Sequence, residues 1–157
     1  MYYFQTHRGL VREKNEDNVD VFVHDNITFM LVLDGMGGHN RGDKASSLAL
    51  ETIKNYILKK KRIYTLYHLK RIMVKAIKKA NKEVNVLGSS NIKYNEMGTT
   101  LVFVALYDNH LILCNIGDSR CYLIKDKSLI QISEDQTYVE FLYKTGKISY
   151  EEKFTHP

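Results

Sequence analysis

The spacing of apolar residues changes several times along the chain, and each change marks an element. Tyr2 to Thr6 reads as a short strand, followed by a polar segment from Arg8 to Asn18. Val19 to Val23 then alternates with period two, the sign of a half-buried strand. Asp25-Asn26 is a turn pair, and the nearly unbroken apolar run Ile27 to Leu33 predicts a central strand buried on both faces. The glycine-rich stretch Asp34 to Asp43 predicts a loop. Beyond it Ala45, Leu48, Ala49, Thr52, Ile53, Tyr56 and Ile57 fall on one helical face. A second stripe, Leu69, Ile72, Met73, Ala76, Ile77, Ala80 and Val84, predicts another core-facing helix. A polar connector, Gly88 to Glu96, leads to strands at Leu101–Leu106, Leu111–Ile116, Cys121–Ile124 and Leu129–Ile132. Asp108-Asn109, Gly117-Asp118-Ser119 and Asp126-Lys127-Ser128 separate these strands, which predicts an antiparallel meander. Ser133 and Gln136 have the spacing of a capping box ahead of Val139, Leu142 and Tyr143, so a last helix is expected to start at Ser133. Strands segregated from helices argue for an antiparallel α+β architecture rather than βαβ units.

Composition narrows the class. The 157 residues fit one domain, and 44% apolar with 26% charged residues is a globular balance. The net charge of +5 is concentrated in Lys59-Lys60-Lys61-Arg62 and in Lys70 to Lys82. No aromatic residue interleaves with the first run, so a solvated helix face is expected and no nucleic-acid partner. Cys114 and Cys121 form no Cys-x-x-Cys pair and have no histidine cluster, which argues against zinc and for a reducing compartment. Met1 to Leu10 lacks the pattern of a signal peptide, and no apolar run reaches bilayer length. A cytoplasmic protein with no membrane partner is expected.

Three polar loops carry candidate chemistry. In Asp34-Gly35-Met36-Gly37-Gly38-His39, glycines let the backbone approach a ligand closely, and Asp34 stands at the mouth of a strand. The loop lacks the last glycine of a dinucleotide fingerprint and the Gly-Lys-Ser/Thr of a phosphate loop. An unneutralised Asp34 would also repel phosphate unless a cation stood between them. Arg12, Asn15, Glu16, Asp17 and Asn18 form a second group. If neighbouring strands flank the Asp34 strand, Glu16 and Asp17 converge on it, and clustered carboxylate oxygens suit Mg²⁺ or Mn²⁺. Arg12 adds a planar fork for phosphate oxygens. The third group, Asn115-Ile116-Gly117-Asp118-Ser119-Arg120, is a turn by itself and gains meaning from the other two.

Together with Met97-Gly98-Thr99-Thr100 and Ser133-Glu134-Asp135-Gln136, these motifs in this order resemble the type 2C metal-dependent serine/threonine protein phosphatases, particularly their bacterial branch. The resemblance implies an antiparallel β-sandwich flanked by helix pairs, with two or three Mn²⁺ or Mg²⁺ ions at one end. It implies that Asp34 bridges two metals and the Gly35 carbonyl binds one. It gives Glu16 a water of the metal shell and Asp118 a share in a third ion. Arg12 then anchors the substrate phosphate and Asp17 orients the attacking water, with no phosphoenzyme. The implied partners are phosphoproteins, a serine/threonine kinase and its targets among them.

Departures qualify the resemblance. Met36 replaces a histidine of the animal enzymes, as is usual in bacterial members, and Gln136 replaces another common histidine. The family site also uses an Asp-Gly and an Asp-Asn motif further along, and this chain reaches Thr155-His156-Pro157 before either. Residues 1–157 are therefore read as a single phosphatase-like domain, the N-terminal two-thirds of the family unit. Sheet edges left unpaired and weakened metal binding with low or absent turnover are expected. The alternative is a catalytically impaired fragment or pseudophosphatase that binds phosphoproteins.

Overall fold

The computed structural model describes residues 1–37, 41–90 and 92–156. Its elements are β1 (Asp17–His24), β2 (Ile27–Met36), α1 (Gly42–Leu58), α2 (Leu66–Ser90), β3 (Gly98–Thr99), β4 (Leu101–Tyr107), β5 (His110–Ile116), β6 (Tyr122–Lys125), β7 (Ser128–Gln131) and α3 (Tyr138–Lys144). Short 3₁₀ turns occupy Ile92–Tyr94 and Glu152–Phe154. Every strand pair is antiparallel. The larger sheet runs β1-β2-β4-β5, with the two residues of β3 added to the end of β2. Asp25 and Asn26 both take positive φ at the β1–β2 hairpin, as do Asp126 and Lys127 between β6 and β7. That is the conformation a two-residue hairpin with matched twist demands.

Helices α1 and α2 pack against each other, and α1 lies on β1, β2 and β3. Ile27, Phe29, Leu31 and Leu33 of β2 point into the resulting core with Phe103, Ile53, Ile57, Leu69 and Met73. The ring of Phe29 sits 5.1 Å from that of Phe22 and 6.0 Å from that of Phe103. Each such side chain contributes roughly 1.5–3 kcal/mol by leaving water. Both predicted helical stripes face this core.

Several expectations need correction. β2 is central in the sheet but is not buried on both faces: its outward residues alternate with the core set, and Val32 is 46% exposed. The unbroken apolar run hid a period-two pattern. Tyr2 to Thr6 forms no strand: Tyr2, Tyr3 and Phe4 are exposed, and Thr6 Oγ1 accepts from Asn15 Nδ2 at 2.7 Å. The Asp34 loop begins later than expected, because β2 continues through Asp34 and Gly35 to Met36 and pairs with Gly98 and Thr99. The meander is broken, with β6 and β7 forming a separate two-stranded sheet. The last helix starts after Thr137, whose hydroxyl accepts from the Glu140 N–H at 3.1 Å. Thr137 to Glu140 offers the same Thr-x-x-Glu spacing four residues later, while Ser133 accepts instead from the Cys121 N–H at 2.8 Å.

Candidate active site

The β1–β2 register brings two carboxylates together. Asp17, the first residue of β1, stands opposite Asp34 near the end of β2. The Asp34 backbone is fully engaged: its N–H donates to Thr100 Oγ1 at 3.0 Å, and its carbonyl accepts from the Thr100 N–H at 2.9 Å and Thr99 Oγ1 at 3.1 Å. These bonds fix the Cα and leave the side chain at the exposed end of the strand. Burial pushes the Asp17 carboxyl up from its ordinary value; the Asp34 charge and a side-chain hydrogen bond with Asp34 push the same way, as does Glu16, while Arg12 opposes them.

Glu16 is oriented from three directions. Its Oε1 accepts from the Gly42 N–H at the start of α1 at 3.1 Å, where the helix favours negative charge. Its Oε2 meets Arg12 Nη1 at 3.3 Å. Its carbonyl accepts from the Gly35 N–H at 3.2 Å and Ser46 Oγ at 2.6 Å. Two glycines allow this closeness. A Cβ on Gly35 would lie 2.2 Å from the Gly42 carbonyl oxygen, and one on Gly42 would lie 2.6 Å from the Gly35 carbonyl carbon. Neither site has room for a methyl group.

The Asp118 loop reaches the same end of the sheet by another route. Ser119 Oγ and Thr100 Oγ1 are 2.7 Å apart, so one threonine touches both the Asp34 backbone and this loop. Gly117, at φ +91°, lies so close to Thr100 that a Cβ would sit 2.8 Å from its methyl group. Gln136 clamps the turn: its side chain accepts from the Gly117 N–H and donates to the Asn115 carbonyl, and its own N–H donates to the Gly117 carbonyl. Arg120 forks onto Asp135, with Nε donating at 2.9 and 3.0 Å and Nη2 at 2.5 Å. That bonding holds the Asp135 carboxyl below its ordinary range.

Two carboxylates facing each other across adjacent strands, Asp17 harder to ionise for its burial and its neighbour's charge, fit a hard divalent cation. Among the described residues, no group of three or more His, Cys, Asp and Glu side chains converges as a metal cluster. Asp17 and Asp34 are paired, Glu16 turns toward Gly42 and Arg12, and Asp118 stands exposed on its loop. Gly38, His39 and Asn40 of the glycine-rich motif lie outside the described residues. Beside the carboxylates is a cavity of about 230 Å³ lined also by His7, Arg8, Arg12 and Lys14. Sequence reasoning singled out Arg12 but missed the other three, whose signal was the density of cations around Gly9. Burial pushes both cysteine thiols up, which keeps them protonated and poor nucleophiles.

The protein phosphatase 2C family matches residues 6–154, and the chain belongs to that family. It is 38% identical to the serine/threonine phosphatase stp of Listeria monocytogenes over 155 residues, covering 98% of this chain and 62% of that protein. The crystal structure of the serine/threonine phosphatase Stp1 from Staphylococcus aureus superposes with a TM-score of 0.88 at 32% identity, over 98% of this chain and 60% of that one. The catalytic domain of the phosphatase PstP in complex with two manganese ions superposes with a TM-score of 0.75 at 34% identity, over 94% and 61%. The chain thus spans under two-thirds of the length of these relatives. Among the described residues, no helix is long and apolar enough to cross a membrane.

Proposed function

We propose that this chain carries the carboxylate and phosphate-binding part of a Mn²⁺- or Mg²⁺-dependent phosphatase centre acting on phosphoserine and phosphothreonine in cytoplasmic proteins, a serine/threonine kinase and its targets among them. The observation that carries this reading is the Asp17–Asp34 pair at the ends of adjacent strands, beside a cavity rimmed with cations. Asp34 and the Gly35 carbonyl would hold the metal, with Glu16 and Asp118 as further oxygen donors, in a site of two or three ions. When bound, the metal supplies Lewis acidity to the phosphoryl oxygens and lowers the pKa of water. Arg12, beside Glu16 at 3.3 Å, would fork onto the phosphate. Asp17 would orient the attacking water and receive its proton.

Hydrolysis of p-nitrophenyl phosphate with and without Mn²⁺, alongside Asp34→Asn, tests the proposal. Turnover that is low, requires the metal and is lost in the variant is the expected result. A folded chain that binds a phosphopeptide yet shows no turnover above the variant would instead make it a non-catalytic binding module.

A further inference from the structure

Charge is unevenly distributed in this molecule. Residues 59–90 hold ten of the 23 Lys and Arg and one of the 18 Asp and Glu, a local net charge of +9 against −4 for the rest. Helix α2 gathers much of this on the side away from the core. Arg71, Lys75, Lys78 and Lys82 recur at helical spacing, with Lys70 and Lys79 alongside, and all six are exposed. The opposite side buries Leu69, Ile72, Met73, Ala76, Ala80 and Val84. Among the described residues none of the six cations forms an ion pair, while Lys54, Lys144 and Lys153 elsewhere each do. Like charges three and four residues apart weaken a helix, so the stripe opposes the stability of its own element.

The direction of the stripe matters. At 1.5 Å rise per residue, Arg71 to Lys82 spans about 17 Å, and Lys82 lies about 9 Å along the axis from Gly88. Gly88 abuts the Tyr94 carbonyl and Met97, and the Met97 backbone lies close to Gly37. The next residue, Gly98, pairs with Met36 in the strand that fastens Asp34. The row of cations therefore leads to the candidate active site.

We propose that this face of α2 is a docking track for an acidic segment of the phosphoprotein substrate, an inference that rests on the phosphatase reading of the site. An extended chain presents every second side chain on one side at about 6.6 Å, close to the 4.5–6 Å rise between successive cations here. A single-stranded nucleic acid would need free aromatic faces for stacking, and a duplex would engage the cations without regard to where the row ends. Each nearby ring already has a partner on one face: Tyr64 stacks on His68 at 6.1 Å, Arg71 stands 5.7 Å over Tyr67, and Lys60 stands 3.9 Å over Tyr56. A membrane surface would engage the cations without regard to where the row ends, whereas a substrate must reach both the track and the site.

The test is fluorescence anisotropy with a labelled phosphothreonine peptide that carries a flanking Glu-rich segment, and with its Glu→Gln counterpart. The proteins are the full chain and the variant Lys75→Glu/Lys78→Glu/Lys82→Glu, with Lys75→Gln/Lys78→Gln/Lys82→Gln as a milder partner. Binding of the acidic peptide is expected to weaken about ten-fold or more in the reversal variant, less in the glutamine variant, and in about 0.5 M salt. Binding of the neutral peptide and p-nitrophenyl phosphate turnover should not change. Equal affinity for the two peptides, or no effect of charge reversal in a folded variant, would overturn the proposal. So would tighter binding of an oligonucleotide or an anionic phosphatidylglycerol vesicle than of the acidic peptide. Because anisotropy needs no turnover, peptide binding that persists in a chain unable to hydrolyse p-nitrophenyl phosphate would count against the phosphatase reading and leave the track standing.

Discussion

The sheet beneath α1 and α2 and the segment beyond Ile116 differ in what holds them. The core cluster lies wholly between Phe22 and Ile112. By contrast, every residue of β6 and β7 is exposed, and among the described residues beyond Ile112 the buried side chains are those of Glu140 and Leu142. This outer segment is tied down by polar contacts: the Gln136 clamp, the Arg120–Asp135 fork and the Ser133–Cys121 bond. Asp34 is thus positioned by hydrophobic burial and backbone ladders, and Asp118 by exchangeable hydrogen bonds. The first kind of support resists local change, and the second can yield while the fold persists.

The sharpest way to break the comparison is to empty the core. Phe29→Ala removes a fully buried ring that touches Phe22 and Phe103. A loss of about 3–5 kcal/mol in urea unfolding is expected, with both regions unfolding together. A smaller value would mean that the core is less tightly packed than its burial indicates. Next comes Gly35→Ala. Its methyl group would meet the Gly42 carbonyl oxygen at 2.2 Å and the Glu16 carbonyl oxygen at 2.6 Å, backbone atoms with little room to move. A cost of about 2–3 kcal/mol is expected, with displacement of the α1 N-terminus from Glu16 and weaker Mn²⁺ binding by calorimetry. Unchanged metal affinity would detach the glycine contact from the metal site.

The difference between the regions also explains what could be read from the sequence. The two helical stripes and the Asp25-Asn26 hairpin were legible because burial writes periodicity, and positive φ writes residue type, directly into the chain. Arg12, Glu16, Asp17, Asp34 and Asp118 stood out as polar residues clustered where turns were predicted. The pairing of Asp17 with Asp34 was harder to see. It depends on β1 starting at Asp17, two residues before the apolar alternation begins, and on β2 running past its apolar segment to Met36. Polar residues at strand ends carry no periodic signal. The Gln136 clamp was invisible for the same reason: a glutamine in a loop looks solvated until its partners are placed. Ser133 and Thr137 both have capping chemistry, and the choice between them was made by the Cys121 N–H, a contact distant in sequence.

The polar region yields to smaller changes. Gly117→Ala combines a positive φ with a contact of 2.8 Å to the Thr100 methyl group, and about 1–2 kcal/mol is expected. Because Thr100 also serves Asp34, this variant should affect both halves of the site, visible as a shift of the Asp34 amide resonance as well as that of Asp118. Gln136→Ala deletes two side-chain hydrogen bonds at an exposed position, for about 0.5–1.5 kcal/mol. Its effect should stay local, with faster amide exchange at Gly117 and none at Gly35. Equal acceleration at both amides would mean that the clamp and the core form one cooperative unit.

The smallest effect expected is that of acid on the Arg120–Asp135 fork. Asp135 accepts from Arg120, which lowers its pKa most, and also from Gln131; burial works against them, and Lys153 adds a weaker favourable charge. A carboxyl that titrates lower in the folded than in the unfolded chain stabilises the fold fully above its ordinary value of 3.8. That contribution fades as pH falls through the depressed folded value, since the folded form must then take up a proton that the unfolded chain already holds. Half of the Arg120 side chain is exposed, so solvent screening keeps the contribution small. Asp135→Asn should therefore be slightly less stable than the parent at pH 7, and the gap should close as both are titrated toward pH values below the carboxylate range. If the two stability curves instead stay parallel from neutral to acid pH, the fork does not secure the Asp118 loop, which the Gln136 clamp and the Ser119–Thr100 contact then hold without it.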